Sequence, residues 1–593
     1  MITLANISSL PIISPLCRKT ELTSPVDHAR WSVTLLFICL LCLPVAAMAQ
    51  AQLGADINGE AAYDYSGWSV SLSSDGSRLA IGAPLNDGPN GPDSGHVRVY
   101  QWSGIAWTQV GGDIDGEAVR DESGQSVSLS SDGNRLAIGA PLHDGATGFD
   151  SGHVRVFEWV DSAWIQLGEG IDGEAAYDES GRSVSLSSAG NRLAIGAVKN
   201  DGNNLDSGHV RVYQWSGTSW TQLGADIDGE AVYDESGRSV SLSSDGNRLA
   251  IGANRNDGAN NIDSAGHVRV YQWSGDTWAQ LGADIDGEAV YDFSGWSVSL
   301  SSDGARVAIG APYNIGTNGL DSGHTRVYQW SGTDWTQLGA DIDGEGAYDQ
   351  SGWSVSLSAN GNRLAVGANG NDGDDVDLVG HVRVYEWSGT AWTQLGADID
   401  GESIYDRSGW SVSLSLDGDR LAIGASENDG NGDYSGHARV YDLRMFNQFQ
   451  INPGLNDAWY YKPTDGQGFF ITVFPELGSV SLAWFTYDTE LPPGDATANL
   501  GDPGHRWLTA IGPIDGNKVE MTITFTSGGI FDTASEIKRT DPPGSDGTLR
   551  VTFYGCNSGS VEYDIPSINR HGVVPIERIA DDNIVICEAL GSE

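Results

Sequence analysis

Apolar and polar residues alternate in short runs that recur along most of the chain. In the first copy the runs are WSVSLS (Trp68 to Ser73), RLAIGA (Arg78 to Ala83), HVRVYQW (His96 to Trp102) and AWTQVGGDI (Ala106 to Ile114). Alternation with a period of two predicts β-strands, and none of the runs has helical spacing. Asp75-Gly76 between the first two runs predicts a tight hairpin. Each copy is therefore predicted to form four antiparallel strands.

The phrase GH.RVY, or GH.RVF in one copy, marks the period of the repeat. Its histidines lie 56 to 58 residues apart, at His96, His153, His209, His267, His324, His381 and His437. A fixed period of this length indicates one supersecondary unit stacked along the chain. Seven copies of four strands predict an all-β fold, a seven-bladed β-propeller.

The two ends of the repeat array complement each other. The last copy stops after its third strand, at HARVYDL (His437 to Leu443), whereas QLGADI (Gln52 to Ile57) precedes the first copy as a fourth strand without a blade. We therefore expect residues near 52–57 to complete the seventh blade and close the ring.

SGWSVSLSSDGSRLAIGAP (Ser66 to Pro84) followed by SGHVRVY resembles the FG-GAP repeat, the blade of integrin alpha-subunit propellers and of many bacterial exported proteins. The resemblance covers residues 52–443 and implies extracellular placement with adhesion or ligand binding. It also implies a calcium loop between the first and second strands. Here that link is only SSDGSR, and one aspartate cannot supply the oxygens calcium needs. Asp75, Asp132 and Asp245 are therefore predicted to be turn residues.

The N-terminal segment is typical of an export signal. Arg30 precedes an apolar run, Val33 to Ala49, and Ala47-Met48-Ala49 fits a cleavage site. Residues 1–49 are thus predicted to be a signal peptide, with an uncleaved membrane anchor as the alternative. After cleavage we expect no membrane span and an extracellular, cell-surface or periplasmic location.

The chain has a formal net charge of −48. So acidic a surface repels nucleic acid and attracts cations or basic partners. The acidic residues gather in the links DIDGEAVYDESG (Asp226 to Gly237) and NDGPNGPDSG (Asn86 to Gly95), which the strand order places on one face of the propeller.

Three hypotheses compete for this acidic face: calcium binding, turn capping without a metal, and direct recognition of a cationic partner. Calcium is the one cofactor considered. Its candidate ligands are Asp113, Asp115, Glu117 and Asp121 in one link, and Asp226, Asp228, Glu230 and Asp234 in another. A glutamate repeats in every copy, which favours an architectural role, at Glu60, Glu117, Glu174, Glu230, Glu288, Glu345 and Glu402.

Three kinds of side chain recur at fixed positions of the repeat: a histidine, a pair of tryptophans and the residue before the first strand. The seven histidines are predicted to form structural hydrogen bonds, and tryptophan pairs such as Trp102 with Trp107 to pack between blades. The residue before the first strand is instead variable: it is Trp68, Trp296, Trp353 and Trp410 in four copies, but Gln125, Arg182 and Arg238 in copies two to four. This variable position is a candidate ligand-binding surface, with core filling as the alternative.

A second all-β domain is predicted at 456–593, after a linker at 444–455. GQGFFITVFPELGSVSLAWFTYD (Gly466 to Asp488) alternates like a hairpin turning near Glu476 to Ser479. The segment resembles an uncharacterised module of bacterial exported proteins, which implies no activity. Its aromatic residues could line a groove or fill a core, namely Trp459, Tyr460, Tyr461, Phe469, Phe470, Trp484 and Phe485. Cys556 and Cys587, the two cysteines after the signal, are predicted to form a disulfide.

These features favour an exported, monomeric binding or adhesion protein that recognises a protein or glycan ligand at the cell surface. The alternatives are a secreted carbohydrate-active enzyme with its site in the C-terminal domain, and a purely structural surface protein. No GxSxG, HExxH or phosphate-loop motif lies in a fitting context, and near-identical copies disfavour a unique catalytic constellation. The sequence thus predicts that the protein is not an enzyme.

Overall fold

The computed structural model describes residues 51–258, 262–372, 378–444, 451–464, 467–487, 505–524, 526–527, 538–539, 547–566, 569–580, 583–584 and 586–587. The predicted signal segment lies outside these residues. Within them, no helix is long and apolar enough to cross a membrane.

Seven antiparallel sheets form the blades of a β-propeller, as predicted. Each blade has an innermost first strand, then a second and a third, and two short strands that both pair with the third. The first strands are Ser69–Leu72, Ser126–Leu129, Ser180–Leu186, Ser239–Leu242, Ser297–Leu300, Ser354–Leu357 and Ser411–Leu414. The second strands are Arg78–Ala83, Arg135–Ala140, Arg192–Ala197, Arg248–Ala253, Arg306–Ala311, Arg363–Ala368 and Arg420–Ala425. The third strands are His96–Trp102, His153–Val160, His209–Trp215, His267–Trp273, His324–Trp330, His381–Trp387 and His437–Asp442.

The predicted fourth run is split into two short strands. The fourth strands are Trp107–Gln109, Ala163–Gln166, Trp220–Gln222, Trp278–Gln280, Trp335–Gln337 and Trp392–Gln394, with Ala51–Gln52 in the seventh blade. The fifth strands are Ile114–Asp115, Ile171–Asp172, Ile227–Asp228, Ile285–Asp286, Ile342–Asp343 and Ile399–Asp400, with Ile57–Asn58 in the seventh blade. In blade 1 the break falls at Gly111 (φ 82°), where a Cβ would lie 2.9 Å from Trp159 and Trp164 of the next blade. The next blade's tryptophan pair therefore requires glycine there.

The N-terminal residues close the ring, which confirms the prediction. Ala51 and Gln52 pair with Asp442 and Tyr441, and Ile57 pairs with Ala438 of the seventh blade. A ring of seven backbone hydrogen bonds also runs around the axis. Each blade contributes one residue, just after its first strand. That residue donates its N–H to the carbonyl of the equivalent residue in the next blade, and the seventh blade donates to the first. The residues are Ser74, Ser131, Ser188, Ser244, Ser302, Ala359 and Leu416. Adjacent blades are thus joined by backbone as well as by side chains.

The hairpins between first and second strands are held by their aspartates. Asp75 Oδ1 accepts hydrogen bonds from the Ser73 hydroxyl (2.8 Å) and the Ser77 N–H (2.9 Å). Asp132 and Asp245 repeat both contacts in their own copies. This confirms their predicted role in turns.

The C-terminal domain is a closed eight-stranded β-barrel. Its strands are Asp457–Tyr460, Gly468–Phe474, Ser479–Tyr487, His505–Asp515, Lys518–Thr524, Thr548–Gly555, Ser558–Ile565 and Arg570–Arg578, and Thr526–Ser527 pairs separately with Lys538–Arg539. Short 3-10 helices lie at Pro453–Leu455, Lys462–Thr464 and Pro475–Leu477. Phe474 pairs with Ser479, so the predicted hairpin is confirmed. Cys556 and Cys587 form the predicted disulfide.

Candidate functional site

The variable position before each first strand lies around the propeller axis. The first strands of neighbouring blades contact each other there, so the residues that precede them converge from all seven copies. Together they line a cavity of about 320 Å³, and the lining residues are Trp68, Gln125, Arg182, Arg238, Trp296, Trp353 and Trp410. We call this the axial cavity. The structure therefore brings together all seven of the side chains that the sequence singled out as variable.

The tryptophans form one continuous wall of the axial cavity. Ring centroids are 4.7 Å apart between Trp296 and Trp353, 5.0 Å between Trp353 and Trp410, and 4.5 Å between Trp410 and Trp68. Each ring is half-buried. Four adjoining indoles thus present a partly exposed apolar surface to the cavity.

The opposite wall of the axial cavity is cationic and polar. Arg238 lies over the ring of Trp296, with its guanidinium carbon 4.0 Å from the ring centroid. Burial, followed by the nearby charge of Arg182, lowers the pKa of Arg238 to about 9. Arg238 therefore stays charged at neutral pH, and its environment favours an added anion. Gln125 completes this wall and is buried.

A second ring of side chains lies three residues earlier in each copy. Its members vary as much as the first ring, and they are Tyr65, Glu122, Glu179, Glu235, Phe293, Gln350 and Arg407. All have positive φ, because a tight turn leads into each first strand. Burial raises the pKa of Glu122 and of Glu179, and Arg182 offsets part of that rise. Aligning the copies shows this variation, but the sequence analysis missed it.

The proposed calcium ligands already have protein partners. Asp121 Oδ2 accepts hydrogen bonds from the N–H groups of Glu117 (2.9 Å) and Ala118 (2.8 Å), and Asp234 makes the same contacts in its copy. Asp113 and Asp226 each accept a hydrogen bond from a glutamine. Glu117 lies 3.7 Å from Arg155, and Glu230 lies 3.4 Å from Arg269, in each case an arginine of the following blade. Asp115 and Asp228 belong to fifth strands. Calcium binding here stays a prediction.

Comparison with known proteins agrees with this architecture. Residues 50–100 match the family model of the FG-GAP repeat. The propeller carries an FG-GAP repeat. No curated protein matches the sequence. Similar solved structures include the periplasmic gluconolactonase of Pseudomonas aeruginosa (16% identity, TM-score 0.40, covering 56% of this chain and 85% of that one). Another is a "putative 6-phosphogluconolactonase" from Bacteroides uniformis (11% identity, TM-score 0.40, covering 57% and 86%).

One sequence-based prediction is corrected by these neighbours. The sequence predicts that the protein is not an enzyme, yet both solved structures carry enzyme names, a gluconolactonase and a "putative 6-phosphogluconolactonase". The likeness extends to the fold alone and assigns no activity or substrate to this chain.

The seven third-strand histidines of the propeller lack one hydrogen bond that the prediction would allow. All seven are buried, and Nε2 of each makes no hydrogen bond to the described residues. Burial is the main cause that lowers the pKa of His96 to about 4 and of His153 to about 3. Nδ1 of four of these rings lies 3.8–4.0 Å from a repeated glutamate, as in His96 with Glu60. In several blades a histidine nitrogen lies within 4.8 Å of two carboxylate oxygens, a set that could hold a metal ion.

The repeated glutamates connect neighbouring blades. Glu60 lies 3.7 Å from the guanidinium of Arg98. Arg98 also donates a hydrogen bond to the carbonyl of Asn58 (2.8 Å), and the equivalent arginines do the same to fifth-strand carbonyls. The architectural role expected for the glutamates agrees with these contacts.

The aromatic residues of the barrel divide between core and surface. Trp459, Phe469 and Trp484 are buried in the barrel core, whereas Phe470 and Phe485 are exposed and help line a cavity of about 300 Å³. A larger cavity, of about 540 Å³, includes Arg550, but this side chain is already paired with Glu520 and Glu562. The axial cavity is the stronger candidate for a ligand-binding site. Its cationic side chains, Arg182 and Arg238, have no such close pairing with carboxylates among the described residues.

Proposed function

We propose that the protein is an exported binding protein whose ligand occupies the axial cavity. The observation that carries the proposal is the breaking of sevenfold symmetry. Copies whose strands are nearly identical carry four tryptophans, two arginines and a glutamine at the position where they meet. A position used only for packing would be expected to repeat one residue, as the leucines and valines of the blade cores do.

The chemistry of the axial cavity indicates the class of ligand. The indole wall favours a ring whose C–H bonds can pack against an aromatic face, and the guanidinium groups of Arg182 and Arg238 favour a carboxylate. A volume of about 320 Å³ lies at the lower end of the usual range for small-molecule sites. We therefore infer that the ligand is an acidic sugar residue, of the kind that carries a carboxylate on its ring.

The test is titration of the protein with glucuronate and galacturonate oligosaccharides, followed by tryptophan fluorescence and calorimetry. Arg182→Gln is expected to weaken binding at least ~10-fold, because it removes a charge-assisted contact. Glutamine occupies this position in the second blade as Gln125, so the variant is expected to fold. Arg120→Gln is the matched control, since Arg120 is exposed and does not line the axial cavity. Equal affinity of the Arg182→Gln, Arg238→Gln double variant would refute the proposal.

We also propose that calcium binds at the acidic links. Burial, followed by the charge of Asp113, raises the pKa of Asp115, and the same two causes act on Asp228 beside Asp226. A cation would relieve this repulsion between carboxylates. Thermal melting of the protein in calcium and in chelator tests this proposal, because an ion bound only by the folded state raises the melting temperature. Equal melting temperatures at millimolar calcium would refute it.

A further inference from the structure

One blade breaks the repeat at a position next to its buried histidine. The residue three positions after the second strand is asparagine in six copies, as Asn86, Asn200, Asn256, Asn314, Asn371 and Asn428, but it is His143 in the second copy. The rings of His143 and His153 stack with centroids 3.8 Å apart. Two imidazoles therefore adjoin at one place in the propeller, where the other blades have an imidazole and an amide.

Carboxylates surround this histidine pair. One nitrogen of each ring and a carboxylate oxygen of Glu117 lie within 4.8 Å of one another. Nδ1 of His143 is 3.1 Å from Asp121, and Nδ1 of His153 is 3.8 Å from both Glu117 and Asp172. The guanidinium of Arg155 lies 3.7 Å from Glu117, and that of Arg211 donates a hydrogen bond to the carbonyl oxygen of Asp172. The three carboxylates supply negative charge that a divalent cation would balance.

His153 is buried beside this cluster, as the equivalent histidine is in every blade. Its side chain is only 3% exposed, and its Nε2 has no hydrogen-bond partner among the described residues. Its Nδ1 faces the cluster, but the carboxylate oxygens at 3.8 Å are too distant for a hydrogen bond.

We propose that His143, His153 and Glu117 form a binding site for one zinc-class transition-metal ion. Two imidazoles and a carboxylate are a donor set suited to zinc, cobalt or nickel, whereas calcium prefers oxygen donors alone. Asp121 and Asp172 then lie close enough to orient the ligands from the outer shell.

The first experiment is calorimetric titration of the chelator-treated full-length protein with Zn²⁺, together with Co²⁺ absorption spectroscopy. The expected stoichiometry is one ion per chain. His143→Asn is expected to weaken binding at least ~10- to 100-fold, and it should fold because asparagine is the residue in the other six copies. The proposal would be overturned if the wild type binds no zinc, or if the wild type and His143→Asn bind the same number of zinc ions with the same affinity.

A second variant tests the same geometry by gain of function. Asn200 occupies the equivalent position in the third copy, where Glu174, His209 and Asp226 already form a group within 4.8 Å. Asn200→His is expected to raise the stoichiometry from one ion to two, with a second Co²⁺ spectrum of similar shape. An unchanged stoichiometry in this variant would show that the paired imidazoles do not create a site. This variant also keeps the proposal testable if His143→Asn fails to fold.

Discussion

Lowering the pH from 7.5 to 5 is expected to unfold the propeller, because its seven third-strand histidines are buried as neutral side chains. Burial lowers the pKa of six of them to about 4, at His96, His209, His267, His324, His381 and His437, and the pKa of His153 to about 3. In the unfolded chain a histidine has a pKa of about 6.5. Between these values the unfolded state binds more protons, so stability falls as the pH falls.

The magnitude follows from the same pKa values. At pH 5 each histidine favours the unfolded state by about 2 kcal/mol relative to pH 7.5, and the seven together by about 14 kcal/mol. A typical domain is stable by only about 5–15 kcal/mol, so even half of this effect is decisive. Near pH 5.5 the unfolding of the propeller should take up about six protons. Some groups act in the opposite direction: the nearby Asp121 carboxylate raises the pKa of His143, and burial raises the pKa of Glu122 and of Glu179.

The assay is urea unfolding followed by tryptophan fluorescence at pH 7.5, 6.5, 5.5 and 5, at constant ionic strength. The midpoint is expected to decline steeply below pH 6.5. His324→Gln is the matched variant: it should reduce the proton uptake by about one, because it removes one of the seven buried rings. Stability that is unchanged or higher at pH 5 than at pH 7.5 would refute the argument. It would mean that the histidines find partners or solvent when protonated.

Three further predictions concern stability. Deletion of residues 50–58 removes two strands of the seventh blade and leaves His437–Asp442 as an open edge. The melting temperature should therefore fall by several degrees or more, and an unchanged melting temperature would contradict the closure of the ring. Replacing Cys556 and Cys587 by serine should destabilise the barrel by about 2–4 kcal/mol in denaturant titrations, and two free thiols in native mass spectrometry of the wild type would contradict the pairing. Trp459→Ala should cost about 3–5 kcal/mol, because this ring is fully buried in the barrel core; a cost below about 1 kcal/mol would show that the core can close around the gap.

The candidate site was visible in the sequence only in part. Aligning the copies singles out Gln125, Arg182 and Arg238, because a repeat makes any departure from the pattern conspicuous. The same comparison could have found Glu122 and Glu179, which vary in the same copies. The sequence could not show that Arg238 lies against Trp296, since that contact joins side chains of two blades.

The sequence by itself determined the repeat unit, the first three strands of each blade, the blade number and the closure by residues near 52–57. These features depend on local alternation, turn chemistry and the count of copies, all of which act within or between adjacent segments. Only the tertiary structure decided the chemistry at the axis and in the second blade. Each copy contributes one residue to the axial cavity, and His143 approaches His153 from a separate loop. Such properties arise from the placement of residues distant in sequence, and the closed ring of blades determines that placement.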